Sequence, residues 1–244
     1  MSRKLAAIAI VVPAHNEQEL LNGCLESIRD TMNHFARLHP AVHLSCTVVC
    51  DACTDNSEQL VAQMCARDSR FTLVRTNRHN VGAARALAVD CALQRIPTQI
   101  AAEQMWLAST DADTRVPEHW LEEFALLHRH GAQAVTGTVE PEYSDLDPER
   151  FARWKAAYQP VAGHQHIHGA NLGVIASAYL AVGGFAALTA HEDVKLIEDL
   201  RAANYRVVGS ERLQVVTSGR LEGRVNEGFA KYLAALQPEA TPVP

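Results

Sequence analysis

Two carboxylates one residue apart, Asp111 and Asp113, close the apolar run Met105-Trp106-Leu107-Ala108-Ser109 and precede the loop Thr114-Arg115-Val116-Pro117. In open α/β sheets, ligands gather outside the carboxyl ends of the strands. Mg²⁺ and Mn²⁺ take one or two carboxylates in such places, together with substrate phosphates. Taken alone, the pattern reads first as a solvated turn closing a strand, and only second as a metal site. A second acidic pair, Glu192-Asp193, opens a helical stretch with inner face Val194, Ile197 and Leu200. It reads either as catalytic machinery or as the acidic first turn that a helix dipole favours. His164, His166 and His168 alternate. On a strand they would share one face and suit a transition metal, whereas the flanking Gly163 and Gly169 suit a loop of polar residues.

The elements that must position these residues follow from periodicity. The stretch 5–12 is continuous, apolar and rich in Ile and Val, as in a buried parallel strand. It stops at Pro13-Ala14-His15, and Asn16 with Glu19 three residues on has the form of a helix-opening capping box. Further strands are expected at 42–50 and 71–75, with helices after each, the second being Ala-rich over 83–94 and preceded by Asn80-Val81-Gly82. With the strand that ends at Asp111 the order is β-α-β-α-β-α-β, which predicts an α/β fold with a doubly wound, mostly parallel sheet. Pro117 at a first helical position begins another helix, and 133–140 is a strand. The segment 141–163 breaks the rhythm with a charged helix over about 148–158. Short strands follow at 205–208 and 213–216, then a basic loop over 217–226, a helix over 227–236, and a polar tail over 238–244 expected to be disordered. One domain is expected over 1–237, with the regular alternation confined to 1–115 and the less regular part over 116–237.

The totals narrow the class of partner. A net charge of -6 on 244 residues argues against nucleic acid, which selects basic faces. No apolar stretch approaches the length of a transmembrane segment. The six cysteines all lie within the first 91 residues, mostly among apolar neighbours. Cys50 and Cys53 form a CxxC, but no second pair completes a zinc site. Buried free thiols in a cytoplasmic protein are the expectation.

Five polar clusters therefore stand in a fixed order: Pro13-Ala14-His15-Asn16-Glu17, 51–55, Asn80-x-Gly82, Asp111-x-Asp113, and Glu192-Asp193. Their order and spacing resemble the family 2 glycosyltransferases of the GT-A fold, in the non-processive form found in bacteria. That family has Pro-x-x-Asn-Glu after its first strand, as here. It has Asp-Asp-Gly-Ser-Thr-Asp after its second, matched loosely by Cys50-Asp51-Ala52-Cys53-Thr54-Asp55. Gly169-Ala170-Asn171 and Val182-Gly183-Gly184-Phe185 also precede the Glu-Asp pair as they do in the family, so the resemblance covers roughly 5–220.

The resemblance implies an inverting, non-processive transferase that takes one sugar from a nucleotide-diphospho-sugar, UDP-sugar first and GDP-sugar second. It implies a nucleotide-binding half over 1–115 and an acceptor-binding half over 116–237. It further implies nucleotide contacts by Pro13, Ala14, Asn16, Glu17, Asp51, Asn80, Gly82, Arg85, Asp111 and Ala112, with Asp51 on the base. Asp113 would be the direct ligand of Mg²⁺ or Mn²⁺, with Asp111 beside it. Asp193 matches the general base that takes the acceptor proton, and Glu192 would orient the acceptor. For Arg85, a phosphate contact and a surface role stand side by side. His168 and Asn171 are candidates for acceptor or phosphate contacts, and Arg220 and Arg224 for holding the diphosphate. Three departures stand out. Ala52 and Cys53 replace Gly and Ser in the base-binding turn. The stretch 215–220 lacks the later metal-binding His of many relatives, for which His191 is a weak substitute. The Gln-x-x-Arg-Trp motif of processive synthases is absent. The acceptor, whether small molecule, glycan or lipid-linked, is expected over 141–168, the least regular segment. Two rivals are a sugar nucleotidyltransferase, whose phosphate loop needs glycines missing from Pro13-Ala14-His15-Asn16, and a non-catalytic sugar-nucleotide-binding protein, against which the intact Asp111, Asp113 and Asp193 speak.

Overall fold

A computed structural model of the chain describes residues 4–223 and 228–236. Arg224, in the expected basic loop, and the 238–244 tail lie outside the described residues. The first half alternates as the sequence predicts. Strand β1 (Ala7–Ala14) leads to helix α1 (Leu21–Leu38), β2 (His43–Asp51) to α2 (Ser57–Arg67), β3 (Phe71–Thr76) to α3 (Val81–Arg95), and β4 (Met105–Ser109) ends at the two carboxylates. There follow β5 (Thr114–Arg115), α4 (Trp120–Arg129), β6 (Ala134–Pro141), α5 (Pro148–Ala157), β7 (Leu172–Ile175), α6 (Ala176–Ala181), α7 (Glu192–Ala202), β8 (Val207–Thr217) and α8 (Phe229–Ala235).

All eight strands join one sheet in the order β3-β2-β1-β4-β7-β6-β8-β5. The first four are parallel, so their carboxyl ends share one edge. Strand β7 runs antiparallel to β4 and to β6. Its start, the turn Gly169–Asn171, therefore reaches the same edge that β4 leaves. Strand β8 is parallel to β6 and delivers Thr217 there too, opposite Thr114 of β5. Every polar cluster noted in the sequence thus converges on a single edge. Strand β1 is buried along its whole length, α3 packs against it and β2, and Leu21, Cys24, Leu25, Ile28, Met32 and Phe35 of α1 are buried in the same core. Helix α4 packs against α1, and its Phe124 meets Trp106 of β4 at 5.8 Å between ring centroids. All six cysteines are free.

Three local expectations need correction. The capping box at Asn16 does not form, and α1 starts at Leu21 instead. Asn16 adopts φ 52°, and its Oδ1 accepts from the Thr54 N–H at 2.7 Å, so the side chain laces two loops together rather than capping a helix. Asparagine tolerates that left-handed conformation better than most residues. Pro117 opens a turn, and the helix begins at Trp120, whose N–H donates to the Pro117 carbonyl. The two short strands expected over 205–216 are one strand, β8, with a register shift against β6 between Thr136 and Thr138.

Asn171 explains how that irregularity is tolerated. Its amide donates at 2.8 Å to the carbonyls of both Thr138 and Leu213, which flank the shift, while its Oδ1 accepts from Trp120 Nε1 at 2.9 Å. Gly137 is a glycine because a Cβ there would strike the Asn171 amide. Asn171 is wholly buried and spends its donors and acceptor on the fold, away from the cleft. Asn171→Leu should destabilise the protein by about 2–4 kcal/mol, through buried polar groups left without partners. Urea unfolding of the variant measures this, and a loss under about 0.5 kcal/mol, the scatter of ordinary surface changes, would contradict it.

Candidate active site

The converging loops enclose a cavity of about 1120 Å³ that runs from Pro13 and Asp51 past Asp111 and Asp113 to Asp193 and Tyr232. At one end, Asp51 is buried and accepts three backbone N–H bonds: from Arg78 (2.6 Å) and His79 (3.0 Å) on Oδ1, and from Asn80 (2.8 Å) on Oδ2. The carboxylate thereby shapes the loop after β3, whose Asn80 in turn caps α3 by accepting from Ala83 N. Ala52 beside it holds φ 54°, a conformation that glycine adopts without strain and alanine does not. Gly82 lies against the Ala186 carbonyl, where a Cβ would collide, so it fits α3 onto the 185–190 segment and does not face the cavity. Asn16 likewise stays outside the cavity wall.

Glu17, buried at the head of α1, receives both Arg220 guanidinium nitrogens at 2.9 and 2.8 Å. Arg220 also reaches Asp113 Oδ2 at 2.7 Å. Burial works against the Arg220 charge, but the bond to Glu17 and the surrounding carboxylates outweigh it and raise its pKa further. Asp113 is the converse case. Burial first, then the Asp111 charge, push its carboxyl up to about 6, with Arg220 as the opposing influence. Negative charge is therefore concentrated beyond what the protein neutralises, a setting that a cation relieves. Among the described residues no group of three or more His, Cys, Asp and Glu side chains is arranged to hold a metal. A cation on Asp111 and Asp113 would need oxygen ligands from a phosphate-bearing substrate, which is the usual habit of Mg²⁺ sites. Thr217 Oγ1 lies 3.4 Å from Asp113 Oδ1.

Arg85 occupies the centre. It is 4% exposed and pairs with both Asp111 and Glu192, itself equally buried. Its guanidinium lies 5.9 Å from the Phe185 ring and fills the space where a Cβ on Gly169 would sit. Glu192 is thereby committed to Arg85. The next residue, Asp193, half-buried in the first turn of α7, accepts from Gly169 N at 2.6 Å and from Val194 N at 2.8 Å.

The three histidines lie in a loop, not on a strand. His164 is buried, and its carbonyl lies where a Cβ on Gly209 would sit. His166 stacks on Tyr158 with centroids 4.2 Å apart. The Tyr158 hydroxyl accepts from Val139 N at 3.2 Å and lies 3.1 Å from His168 Nε2, to which it can donate. Burial, then the neighbouring His166, lower the His168 pKa to about 4. His15 and His79, 6.0 Å apart and edge-to-face, also line the cavity. Motif reasoning passed over both. The available signal was that each sits just past a strand end, in a loop the fold brings to the cleft.

A family model described as "Glycosyl transferase family 2" matches residues 9–175, more than half of the chain. No curated protein sequence matches it. Among solved structures it is similar to S. aureus TarS 1-349 (13% identity, TM-score 0.61, covering 87% of this chain and 60% of that one). It is similar also to the mannosyltransferase PcManGT from Pyrobaculum calidifontis in complex with GDP-Man and Mn²⁺ (21% identity, TM-score 0.61, 89% and 58%). A mycobacterial protein gives 16% identity and a TM-score of 0.56, over 95% and 71%. The chain thus spans 60% and 58% of the first two of these relatives. At such identities the likeness establishes the fold, which is GT-A.

Two outcomes follow from this geometry. Arg85→Met leaves Asp111 and a buried Glu192 uncompensated and should cost about 3–5 kcal/mol in chemical denaturation, as for other broken buried ion pairs. Because the folded-state pKa of His168 lies below its unfolded value, the unfolded chain takes up the extra proton in the interval between. Stability is intact above pH 6.5 and falls by up to about 3 kcal/mol as the pH drops to about 4. His168→Gln should flatten that part of the stability–pH curve. An unchanged slope would mean that His168 titrates normally.

Proposed function

Since the chain belongs to glycosyl transferase family 2, we propose that it moves a single sugar from a nucleotide-diphospho-sugar to an acceptor hydroxyl, with inversion. A UDP-sugar is the favoured donor and a GDP-sugar the second. The observation that carries this reading is the shared cavity: Asp111 and Asp113 open into the same space as Asp193, with Arg85 joining the two sides.

In this reading the first 115 residues hold the nucleotide and the remainder holds the acceptor. His15, His79 and the Asp51-braced loop would border the base, and Glu17 the ribose. Asp113 and Asp111 would hold Mg²⁺ or Mn²⁺, which when bound offsets the diphosphate charge and the charge growing on the leaving phosphate. The complex of the Pyrobaculum calidifontis mannosyltransferase with GDP-Man and Mn²⁺ supports a divalent ion and is a reason to test guanosine donors too. Arg220, held by Glu17, lies beside Asp113 and is within reach of donor phosphates, to which a guanidinium can fork.

Asp193 would take the proton from the attacking hydroxyl. The Gly169 N–H fixes one of its oxygens, and the start of α7 favours its negative charge. Proton removal as the hydroxyl attacks is worth a typical 10²–10⁴-fold in rate. Glu192 contributes through Arg85 rather than by touching the acceptor.

A thermal-shift series with UDP and GDP, each with and without Mg²⁺ or Mn²⁺, tests the donor side. The right pair at about 100 times its dissociation constant should raise the melting temperature by on the order of 5 °C. No shift with either nucleotide would remove the donor assignment. Asp193→Asn should cut sugar transfer by at least about 10²-fold while leaving nucleotide affinity within about twofold. Near-normal transfer would exclude Asp193 as the base.

A further inference from the structure

The end of the cavity beyond Asp193 is chemically unlike the rest. The donor end is crowded with ions: Glu17, Asp51, Asp111, Asp113, Arg85 and Arg220 all border it. The far wall is built of rings. Tyr158 stacks on Trp154 behind it at 5.3 Å and on His166 at 4.2 Å. His168 lies edge-on to Phe229 at 6.1 Å, and Phe229 stacks loosely on Tyr232 at 6.3 Å. Tyr158 is buried, Phe229 half-buried and Tyr232 40% exposed, so the wall grades from the interior to the mouth.

Among the described residues, that wall carries no lysine, arginine or carboxylate. The two lysine or arginine side chains that line the cavity among the described residues already pair with carboxylates, Arg85 with Asp111 and Glu192, and Arg220 with Glu17 and Asp113. His168 adds no charge at neutral pH, since its pKa is lowered to about 4 by burial. A phosphate or carboxylate on the acceptor would therefore lie against aromatic faces, whose quadrupoles repel anions, with no lysine or arginine among the described residues of the wall to meet it. A pyranose ring has the complementary build. Its C–H face packs on the electron-rich face of an aromatic ring, and its hydroxyls point outward around the rim. Size agrees, since the cavity exceeds the ~300–1,000 Å³ typical of a single small-molecule site and leaves room beside a donor. Gly169 links the two ends: it follows His168 in the chain, and its N–H holds Asp193. The wall residue His168 is thus one residue along the chain from the N–H that holds the carboxylate, in the same cavity.

We propose that the acceptor is an uncharged carbohydrate whose ring stacks on the wall formed by Tyr158, His166, His168, Phe229 and Tyr232, with one hydroxyl presented to Asp193. This rests on the glycosyltransferase reading and deepens it. The wall selects against phosphorylated and carboxylated acceptors.

The test is saturation-transfer NMR on the whole chain, saturated with UDP or GDP and Mg²⁺, whichever pair binds. The neutral probes are methyl α-mannopyranoside, methyl β-glucopyranoside and cellobiose, and the charged ones glucose 6-phosphate and glycerol 3-phosphate. Neutral rings should give saturable signals, and the phosphorylated probes should bind at least about tenfold more weakly. Phe229→Leu combined with Tyr232→Leu keeps apolar volume but removes the ring faces, and should weaken the neutral probes about tenfold with nucleotide affinity unchanged. Tighter binding of glucose 6-phosphate than of the neutral glycosides overturns the proposal. So does unchanged neutral binding in a folded double variant, or the absence of any neutral signal while nucleotide binds. Failure of both nucleotides to bind would instead strike the glycosyltransferase reading itself.

Discussion

A buried guanidinium shared between two carboxylates is the constraint around which this cleft is built. Arg85 comes from α3, Asp111 from the end of β4 and Glu192 from the start of α7, three elements far apart in sequence. A charge so deeply buried is tolerable only when paired, and here the pairing fixes the loops that carry the other functional groups. Asp111 leads to Asp113, and Glu192 leads to Asp193. The Asp113 side and the Asp193 side of the cavity are therefore tied together by one ion-paired side chain. Gly169 completes the arrangement, since any Cβ there would strike the guanidinium while its N–H is needed by Asp193.

The sheet explains why the polar groups meet. Four parallel strands would by themselves bring only the first four clusters to a common edge. The reversal at β7 brings a strand start to that edge, and the parallel pairing of β6 with β8 brings Thr217 and Arg220 to it. The cost is an irregular β6–β8 ladder, and Asn171 offsets it by donating to both carbonyls at the shift. A residue that reads in sequence as part of a ligand-binding segment is in this fold a structural keystone. Similarly, Asp51 sits in the pocket yet spends its oxygens on three backbone amides, so its first effect is to shape the surface a base would meet.

The cavity divides electrostatically into an ionic end and an aromatic end, and α5 and α8 supply rings to the second. Trp154, Tyr158, His166, His168, Phe229 and Tyr232 form a nearly continuous series of ring contacts. Burial keeps His168 neutral, and the Tyr158 hydroxyl beside its Nε2 fits an imidazole with the proton on Nδ1. The alternation of histidines that suggested a metal site in the sequence instead contributes flat ring surface, through His166 and His168.

The sequence by itself determined the first half of the sheet: the strand periodicity, the order of the polar clusters and the place of Asp111 and Asp113 just past a strand end were legible because they are local. Hydrophobic period and turn chemistry act over a few residues, and the fold reads them as written. It did not determine where α1 and α4 begin, because the Asn16 side chain was claimed by Thr54, and a further turn follows Pro117 before its helix. Nor could it distinguish surface Arg85 from central Arg85, ligand-binding Asn171 from buried Asn171, or a histidine trio on a strand from one stacked in a loop. Arg85 answers to partners 26 and 107 positions away, and Asn171 to partners 33 to 51 away. His166 stacks on Tyr158 through a loop whose path the rest of the fold sets. Only tertiary packing decides which charges are taken out of water together, and that decision fixed the chemistry of the cleft.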